Sequence, residues 1–304
     1  MAGFVDGRVV VITGAGGGIG RAHALAFAAE GAKVVVNDLG GSRDGDGSSA
    51  GPAQSVVDEI MAAGGAAVAN TDDISSFDGA QRLIGQAIDT FGGLDTLVNN
   101  AGILRDRMLT NMSEAEWDAV IKVHLKGTFA TTRFAAEFWK TQSKEGKEVA
   151  ARVVNTTSPS GLFGNIGQTN YGAAKAGIAM FSTIAAMELG RYGVNVNAIA
   201  PTALTRMTED LPGLASDDEK FTALLAPENI SPLVVWLSSS DCRVSGRVFG
   251  VWGHKVSVAE GWAYGPYVDR DDRWTAADLG AVVPELVAKA LPNADMYGAR
   301  PEGD

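Results

Sequence analysis

The sequence has little cysteine and no long apolar run, and each absence excludes a class of protein. Its 304 residues include one cysteine, Cys242, so an intramolecular disulfide framework is excluded and a reducing compartment is favoured. Cys242 has no obvious base beside it in the sequence, which favours an idle buried thiol over a nucleophile. No apolar run approaches the roughly 18 residues of a membrane-spanning helix, and no signal peptide is recognisable. We therefore expect a soluble cytoplasmic protein without a membrane partner.

The chain also lacks clustered basic residues and internal linkers. Its net charge is −11 and its pI is near 4.8, which argues against a nucleic-acid-binding surface. No Pro/Ser-rich stretch or long charge run divides the chain, and its 46% apolar content is ordinary for a soluble globule. We expect one domain over residues 1–265 and a C-terminal extension over residues 266–304, for which a neighbouring subunit is a candidate packing surface.

A glycine-rich turn near the N-terminus predicts a dinucleotide-binding loop. Residues 8–13 form a β-branched run, and the glycines that follow it lead into an Ala-rich segment that ends near Glu30. Glycines let the backbone approach a pyrophosphate, and the free N–H groups at the start of a helix attract its charge. The predicted contacts are Gly14, Gly18, Ile19 and Gly20. The spacing G-x-x-x-G-x-G differs from the usual G-x-G-x-x-G, and a purely structural turn is the alternative.

Asp38 predicts which nicotinamide cofactor binds. It ends the second predicted strand, eighteen residues beyond Gly20, where a carboxylate accepts hydrogen bonds from an adenosine ribose and repels a 2′-phosphate. Gly17 is not basic and Leu39 follows the aspartate, so NAD is favoured over NADP. Arg43 is the one residue nearby that could favour NADP.

Later strand ends supply further candidate cofactor contacts. We predict that Asp73 meets the adenine amino group, that Asn100, Ala101 and Gly102 lie along the adenosine half, and that Pro201 and Thr205 lie near the nicotinamide carboxamide. For Asp73 a solvated turn is the alternative. The polar loop 40–51 carries two aspartates in a spacing that partly matches a calcium loop, but the remaining ligand positions are missing. We expect a surface loop that borders the cofactor, and no metal.

Tyr171 and Lys175 form the centre of the predicted chemistry. They lie four residues apart where an apolar, proline-free run begins, so both should project from one face of a helix. A lysine ammonium beside a phenol stabilises the phenolate, so we expect Lys175 to lower the pKa of Tyr171. Ser158 follows a strand-like run and can offer its hydroxyl to the same oxygen. His124, within a predicted helix over residues 113–140, is either a core histidine or part of a proton path behind Tyr171.

The alternation of apolar strand-like runs with helical segments predicts the fold. Six or seven strands alternate with helices, which indicates an α/β protein with a Rossmann-type, doubly wound parallel sheet of about seven strands. The last predicted strand spans residues 247–252, and a helix over residues 276–291 is expected to be interrupted by Pro284. Residues 204–222, which are polar and contain proline and glycine, are expected to form a mobile lid.

Taken together, these motifs resemble a known family over roughly residues 5–255. They are T-G-x-x-x-G-I-G at 13–20, N-N-A-G at 99–102, Ser158, Y-x-x-x-K at 171–175 and Pro201. This combination resembles the short-chain dehydrogenase/reductase family. Longer runs at 36–41, 101–107, 123–127, 164–171 and 232–237 resemble a subgroup, the (3R)-hydroxyacyl-CoA dehydrogenase part of the type 2 peroxisomal multifunctional enzymes.

The resemblance implies an enzyme and a mechanism. The expected reaction is the NAD-dependent, reversible oxidation of a secondary hydroxyl on a (3R)-hydroxyacyl-CoA or sterol-side-chain substrate, in a homodimer or homotetramer. Tyr171 would take the hydroxyl proton, Ser158 would orient the oxygen, and Lys175 would hold the nicotinamide ribose. Many family members have Asn where this chain has His124, and Pro159 and Thr202 also depart from the common pattern. A dehydrogenase of free hydroxysteroids or other secondary alcohols, and a non-catalytic NAD-sensing protein, are the alternatives.

A long acyl or steroid tail would need an apolar wall. The residues that could form it are Leu162, Phe163, Met207, Leu211 and Leu214, and the cations that could meet CoA phosphates are Arg105, Arg107 and Arg206. Packing of the lid is an equal explanation for the apolar set.

Overall fold

One central sheet organises the molecule. The computed structural model describes residues 3–42, 44–205 and 218–300, and the fold is given for these ranges. The strands are β1 (Val9–Thr13), β2 (Lys33–Asn37), β3 (Ala66–Asn70), β4 (Thr96–Asn99), β5 (Ala151–Thr156), β6 (Val194–Thr202), β7 (Val248–Trp252) and β8 (Lys255–Ala259). Their order is β3-β2-β1-β4-β5-β6-β7-β8, with parallel pairing from β3 to β7. The predicted doubly wound parallel sheet is confirmed.

The described ranges contain eight strands, where about seven were predicted. β8 pairs antiparallel with β7 through a tight hairpin at Gly253 and His254, and Gly253 has a φ of +53°, a conformation that glycine adopts readily. Most of β8 is exposed to solvent. An exposed edge strand lacks the buried apolar signature of β1 or β4, which explains why the pattern did not reveal it.

Helices cover both faces of the sheet. They are α1 (Gly18–Ala29), α2 (Gly51–Ala62), α3 (Phe77–Phe91), α4 (Glu114–Ile121), α5 (Gly127–Lys144), α6 (Pro159–Phe163), α7 (Thr169–Leu189), α8 (Glu219–Leu224), α9 (Ser231–Leu237) and α10 (Ala276–Lys289). Side chains of α1, α2 and α9 pack with one face of the sheet, and those of α3, α5 and α7 pack with the other. Because both faces are covered, β1, β4 and β5 are buried along their whole length.

Two predicted helices differ from the structure, and the one that carries Tyr171 and Lys175 is present. The helix predicted over residues 113–140 is α4 and α5 joined by a π-helical turn, Lys122–Lys126. α7 begins at Thr169, so Tyr171 lies in its first turn. α10 continues through Pro284 instead of being interrupted there, and it buries none of its side chains against the rest of the described chain. The domain boundary at residue 265 stays a prediction.

A buried arginine stabilises the amino-terminal end of the strands, which lies opposite the candidate site. Arg152, in β5, is 2% exposed and donates hydrogen bonds from Nε to the carbonyl of Ser239 (2.9 Å) and from Nη2 to that of Ser240 (2.7 Å). These carbonyls follow the end of α9, where a helix leaves its last acceptors unpaired. Arg152 therefore holds α9 against the sheet.

The parallel topology brings the candidate site together. The glycine turn follows β1, Asp38 follows β2, Asp73 follows β3, Asn100 follows β4 and Ser158 follows β5. All of these lie at the carboxyl edge of the sheet because the strands run the same way. The strand order reverses between β1 and β4, and in open α/β sheets ligands bind in the crevice at such a point.

Candidate active site

The glycine turn after β1 forms a cradle too tight for side chains. Gly14 and Gly18 have φ values of +64° and +52°. A methyl group on Gly14 would lie 2.6 Å from the Cα of Ala101, and one on Gly16 would lie 2.7 Å from the Cβ of Pro52 and 2.8 Å from the carboxylate of Asp38. The turn therefore requires glycine at these positions, and it leads into the start of α1, where unpaired N–H groups favour anions. These features fit the pyrophosphate of a dinucleotide.

Asp38 is fixed directly beside this cradle. Its Oδ2 accepts a hydrogen bond from the N–H of Gly16 at 2.8 Å, and its Oδ1 accepts one from the N–H of Gly40 at 2.7 Å. Each carboxylate oxygen has a second lone pair for a hydroxyl donor. The carboxylate is thus oriented by the backbone on both sides.

The turn after β4 is held against β1 by Thr13, a residue to which the sequence assigned no role of its own. The Thr13 hydroxyl accepts hydrogen bonds from the N–H groups of Asn100 (3.0 Å) and Ala101 (3.1 Å). The Asn100 amide donates to the carbonyls of Thr13 and Gly14, both at 3.1 Å. Asn100 therefore shapes the glycine turn through its side chain, and the adenosine contacts of Ala101 and Gly102 stay predictions.

The remaining predicted cofactor residues lie around the same crevice. Ile19 packs against the core below α1. A methyl group on Gly18 would lie 3.3 Å from the Cγ2 of Thr205, so Thr205 borders the glycine turn. Pro201 pairs with Val251 at the end of β6. Asp73 accepts hydrogen bonds from the N–H (2.9 Å) and hydroxyl (2.6 Å) of Ser75, a turn-forming role, and its contact with adenine stays a prediction.

Ser158, Tyr171 and Lys175 meet where β5 ends and α7 begins. The Ser158 side chain lies close enough to the Tyr171 hydroxyl to lower the pKa of Tyr171. The Nζ of Lys175 lies 5.6 Å from the centroid of the Tyr171 ring and donates to the carbonyl of Thr156 at 2.6 Å. Lys175 is 3% exposed, and a methyl group on Gly161 would lie 2.6 Å from its Cβ, so α6 packs closely on it. The three predicted side chains therefore share one small volume.

Burial dominates the electrostatics of this trio. Burial raises the pKa of Tyr171 to about 12, the hydrogen bond from Ser158 lowers it, and the charge of Asp106 raises it. Burial lowers the pKa of Lys175 to about 7. In the protein without ligands, Tyr171 is therefore a phenol near neutral pH and Lys175 is only partly charged, and the lowering of the Tyr171 pKa by Lys175 stays a prediction.

His124 lies behind Tyr171 on the π-helical turn. Its ring meets that of Tyr171 edge-on, with centroids 5.2 Å apart. Its Nε2 is 3.1 Å from the N–H and 2.8 Å from the carbonyl of Ile103, and within the described ranges its buried Nδ1 has no hydrogen-bond partner. Burial, with a smaller effect from Lys175, lowers the His124 pKa to about 3, so the ring is neutral. Its place in a proton path stays a prediction.

Asn170 is a positioning residue that the sequence did not single out. It is fully buried, and its amide donates to the carbonyls of Arg105 (2.9 Å) and Glu116 (3.2 Å). Its Oδ1 accepts the N–H of Tyr171 at 2.8 Å. Asn170 thus connects the start of α7 to the segment after β4, and its position immediately before Tyr171 was the available signal.

The predicted substrate residues are only partly brought together. Arg107 pairs with Glu116 at 3.0 Å and Arg105 pairs with Asp46 at 3.0 Å, and contact of either guanidinium with CoA phosphates stays a prediction. Phe163 is 40% exposed, and a methyl group on Gly298 would lie 3.3 Å from its ring. Leu162 is partly exposed beside it. Arg43, Arg206, Met207, Leu211, Leu214 and most of the predicted lid lie outside the described residues.

Comparison with known proteins agrees with this geometry. A sequence profile of the short chain dehydrogenases matches residues 8–213. The chain belongs to this family, and it is an oxidoreductase that acts on CH–OH groups with a nicotinamide cofactor.

Individual relatives make the similarity more specific. The chain is 45% identical over 301 residues to the hydroxyacyl-CoA dehydrogenase ChsB1 of Mycobacterium tuberculosis, covering 95% of this chain and 91% of that protein. It is 46% identical over 247 residues to the mouse peroxisomal multifunctional enzyme type 2, covering 81% of this chain and 32% of that enzyme. A short chain dehydrogenase crystal structure from Mycobacterium avium matches with a TM-score of 0.87 and 58% identity, covering 98% of this chain and all of that one. No helix within the described ranges is long and apolar enough to cross a membrane.

Proposed function

We propose that this protein catalyses the NAD-dependent, reversible oxidation of a secondary hydroxyl on a 3-hydroxyacyl-CoA, including those with a sterol side chain. The proposal rests on one observation. Ser158, Tyr171 and Lys175 lie together at the carboxyl end of the sheet that also carries the glycine cradle, near the point where the strand order reverses. The substrate class is supported by the relatives named hydroxyacyl-CoA dehydrogenase and peroxisomal multifunctional enzyme.

The choice of NAD rests on Asp38. A carboxylate held by the N–H groups of Gly16 and Gly40 would accept the adenosine ribose hydroxyls, whereas a 2′-phosphate there would meet a like charge. Gly14, Gly18 and the N-terminus of α1 would hold the pyrophosphate, and Lys175 the nicotinamide ribose. When bound, the nicotinamide supplies the hydride acceptor.

Side chains of the protein would remove the proton of the substrate hydroxyl. Tyr171 would accept the proton of the substrate hydroxyl, and Ser158 would donate a hydrogen bond to the same oxygen. Because the Tyr171 pKa is raised to about 12 without ligands, the phenolate needs further stabilisation in the working complex. A positively charged group near Tyr171, including a fully protonated Lys175, would supply it. His124 is neutral and would position Tyr171 by edge-on contact.

The proposal is tested by following NADH formation at 340 nm with (3R)-hydroxyacyl-CoA substrates, sterol-side-chain hydroxyacyl-CoA substrates and the corresponding free alcohols. We expect turnover with the thioesters. Tyr171→Phe should retain cofactor binding and lose at least ~10²-fold in rate, as expected for loss of a general base. Full turnover in that variant would refute the assignment of Tyr171.

Other outcomes select the alternatives. Turnover only with free alcohols would indicate a dehydrogenase of hydroxysteroids or other secondary alcohols on the same catalytic residues. Tight NAD binding without turnover on any hydroxyl substrate would indicate a non-catalytic NAD-sensing protein. The homodimer or homotetramer and the cytoplasmic location expected from the sequence stay predictions, for which sedimentation and cell fractionation are the measurements.

A further inference from the structure

The loop after β2 crosses the mouth of the cofactor crevice. We define the crossing loop as residues 38–42 and 44–51, which lead from β2 to α2. β2 and β4 lie on opposite sides of β1 in the sheet, about 9–10 Å apart by the usual strand spacing. The crossing loop starts at β2, yet its middle contacts the segment that follows β4. The crossing loop and the segment after β4 therefore meet across the carboxyl end of β1, the end from which the glycine cradle starts.

Internal hydrogen bonds give the crossing loop a defined shape. The N–H of Ser42 donates to the carbonyl of Asp46 at 2.8 Å, and that of Gly45 donates to the carbonyl of Ser42 at 3.0 Å. The N–H of Ser49 donates to the carbonyl of Leu39 at 2.9 Å, which closes the base of the loop. A loop closed on itself in this way can move as a unit.

Arg105 holds the far end of the crossing loop. Its Nε donates to the carbonyl of Asp44 at 2.7 Å, and its Nη2 donates to Oδ1 of Asp46 at 3.0 Å. A methyl group on Gly45 would lie 3.1 Å from Ile103, so the loop tip also rests on that side chain. The side chains of Arg105 and Asp46 are 31% and 79% exposed, so this contact is weak enough to open and close.

We propose that Arg105 is a positioning residue that controls exchange of the cofactor by holding the crossing loop closed over the crevice. The inference rests on the proposed NAD site. The contact is present without any ligand, so it slows entry as well as exit. The inference takes the contact between Arg105 and the crossing loop to be equally strong with and without cofactor. The open fraction then scales the rates of binding and release alike, so that Arg105 acts on both rates and leaves the affinity nearly unchanged.

The same segment links this contact to the catalytic tyrosine. The carbonyl of Arg105 accepts the Asn170 amide at 2.9 Å, and Asn170 in turn accepts the N–H of Tyr171. These are backbone contacts at residue 105, so they survive a change of its side chain. A variant at this position therefore tests the crossing loop without removing the support of α7.

The experiment is stopped-flow fluorescence of NADH binding to the wild type and to Arg105→Ala, Asp46→Ala and Arg107→Ala. Losing a half-exposed ion pair and one charged hydrogen bond should raise both the association and dissociation rate constants about three- to tenfold in Arg105→Ala. The dissociation constant should change less than about twofold, because the opening equilibrium cancels from the ratio. Asp46→Ala, which keeps the bond to Asp44, should show a smaller rise.

Arg107→Ala is the matched control. Its ion pair with Glu116 lies on the same segment but away from the crossing loop, so its rates should equal those of the wild type. Added salt should narrow the difference in exchange rate between the wild type and Arg105→Ala, because only the wild type has this ion pair to screen, whereas the effect of salt on the charge of NADH is common to both. A merely structural role of Arg105 would not produce this narrowing.

Three results would overturn the inference. Unchanged rates in Arg105→Ala would show that the crossing loop does not limit exchange. A weaker affinity with an unchanged association rate would mean that Arg105 contacts the cofactor itself. Failure of NADH to bind the wild type would reject the proposed NAD site along with the inference, whereas binding with unaltered variant rates would reject the inference alone.

Discussion

Replacing Ser158 with alanine should separate a catalytic effect from a structural one. The Ser158 hydroxyl lowers the pKa of Tyr171 by a hydrogen bond, and its Oγ also accepts the N–H of Ser160 at 3.2 Å as the N-cap of α6. A hydrogen bond to a charged group contributes about 1.5–3 kcal/mol, which corresponds to ~1–2 pKa units. The cap contributes about 0.5–2 kcal/mol to stability.

The catalytic consequence is a displaced pH profile. Without Ser158 the Tyr171 pKa rises further, so at any pH below it the phenolate fraction falls about 10- to 100-fold. The rate of alcohol oxidation should fall by the same factor, and the rising limb of log kcat against pH, which reports Tyr171 in the working complex, should move to higher pH by ~1–2 units. In ketone reduction, where Tyr171 donates its proton, the active range should extend to higher pH by the same amount.

The assay is NADH formation from pH 6 to 10 for wild type, Ser158→Ala and Ser158→Thr, with urea denaturation of each. Ser158→Thr keeps a hydroxyl and should restore much of the profile. If Ser158→Ala loses rate while its profile keeps its position, Ser158 orients substrate only, and the reasoning from the Tyr171 pKa is wrong. A stability loss without any rate loss would leave Ser158 as an N-cap alone.

Three further variants test the cradle, the lysine and the cofactor choice. Gly14→Ala should lower the unfolding free energy by about 2–4 kcal/mol in urea titrations, because φ is +64° and the methyl meets Ala101 at 2.6 Å; a smaller loss would show that the turn relaxes. Burial lowers the pKa of Lys175 from 10.5 to about 7, so the unfolded chain binds the extra proton between these values. Wild type should therefore gain about 1.4 kcal/mol per pH unit relative to Lys175→Met between pH 7 and 9, and parallel stability curves would contradict the lowered pKa. Asp38→Ser should raise the KM for NAD about tenfold or more and improve use of NADP in steady-state assays, and an unchanged preference would remove Asp38 from the ribose site.

The cofactor half of the site could be predicted because its signals are local. A β-branched run before a glycine turn specifies strand, turn and helix within about twenty residues, and Tyr171 and Lys175 share a helix face by spacing alone. Parallel pairing then places every strand end at one edge, so Asp38 and Ser158 follow from their positions after strands. The hydrogen bonds that Thr13 accepts from Asn100 and Ala101 fix how the turns after β1 and β4 lie against each other, and the motifs had already marked both turns.

The features that escaped prediction depend on distant contacts. Arg105 and Asp46 are 59 residues apart, and no periodic pattern links them. In the π-helical turn that carries His124, each backbone hydrogen bond spans five residues where an α-helix spans four. The spacing of apolar residues does not distinguish the two. The raised pKa of Tyr171 follows from burial of its side chain, which the spacing between Tyr171 and Lys175 does not reveal.

The contact between Gly298 and Phe163 limits the choice of neutral substitutions near the C-terminus. It brings the last part of the described chain beside the segment that follows Ser158, although the two are 135 residues apart in sequence. A side chain introduced at Gly298 would therefore press on Phe163, the last residue of the helix that Ser158 caps. A substitution near the end of the described chain can thus disturb the segment that follows Ser158, and it is a poor choice for a neutral control in kinetics.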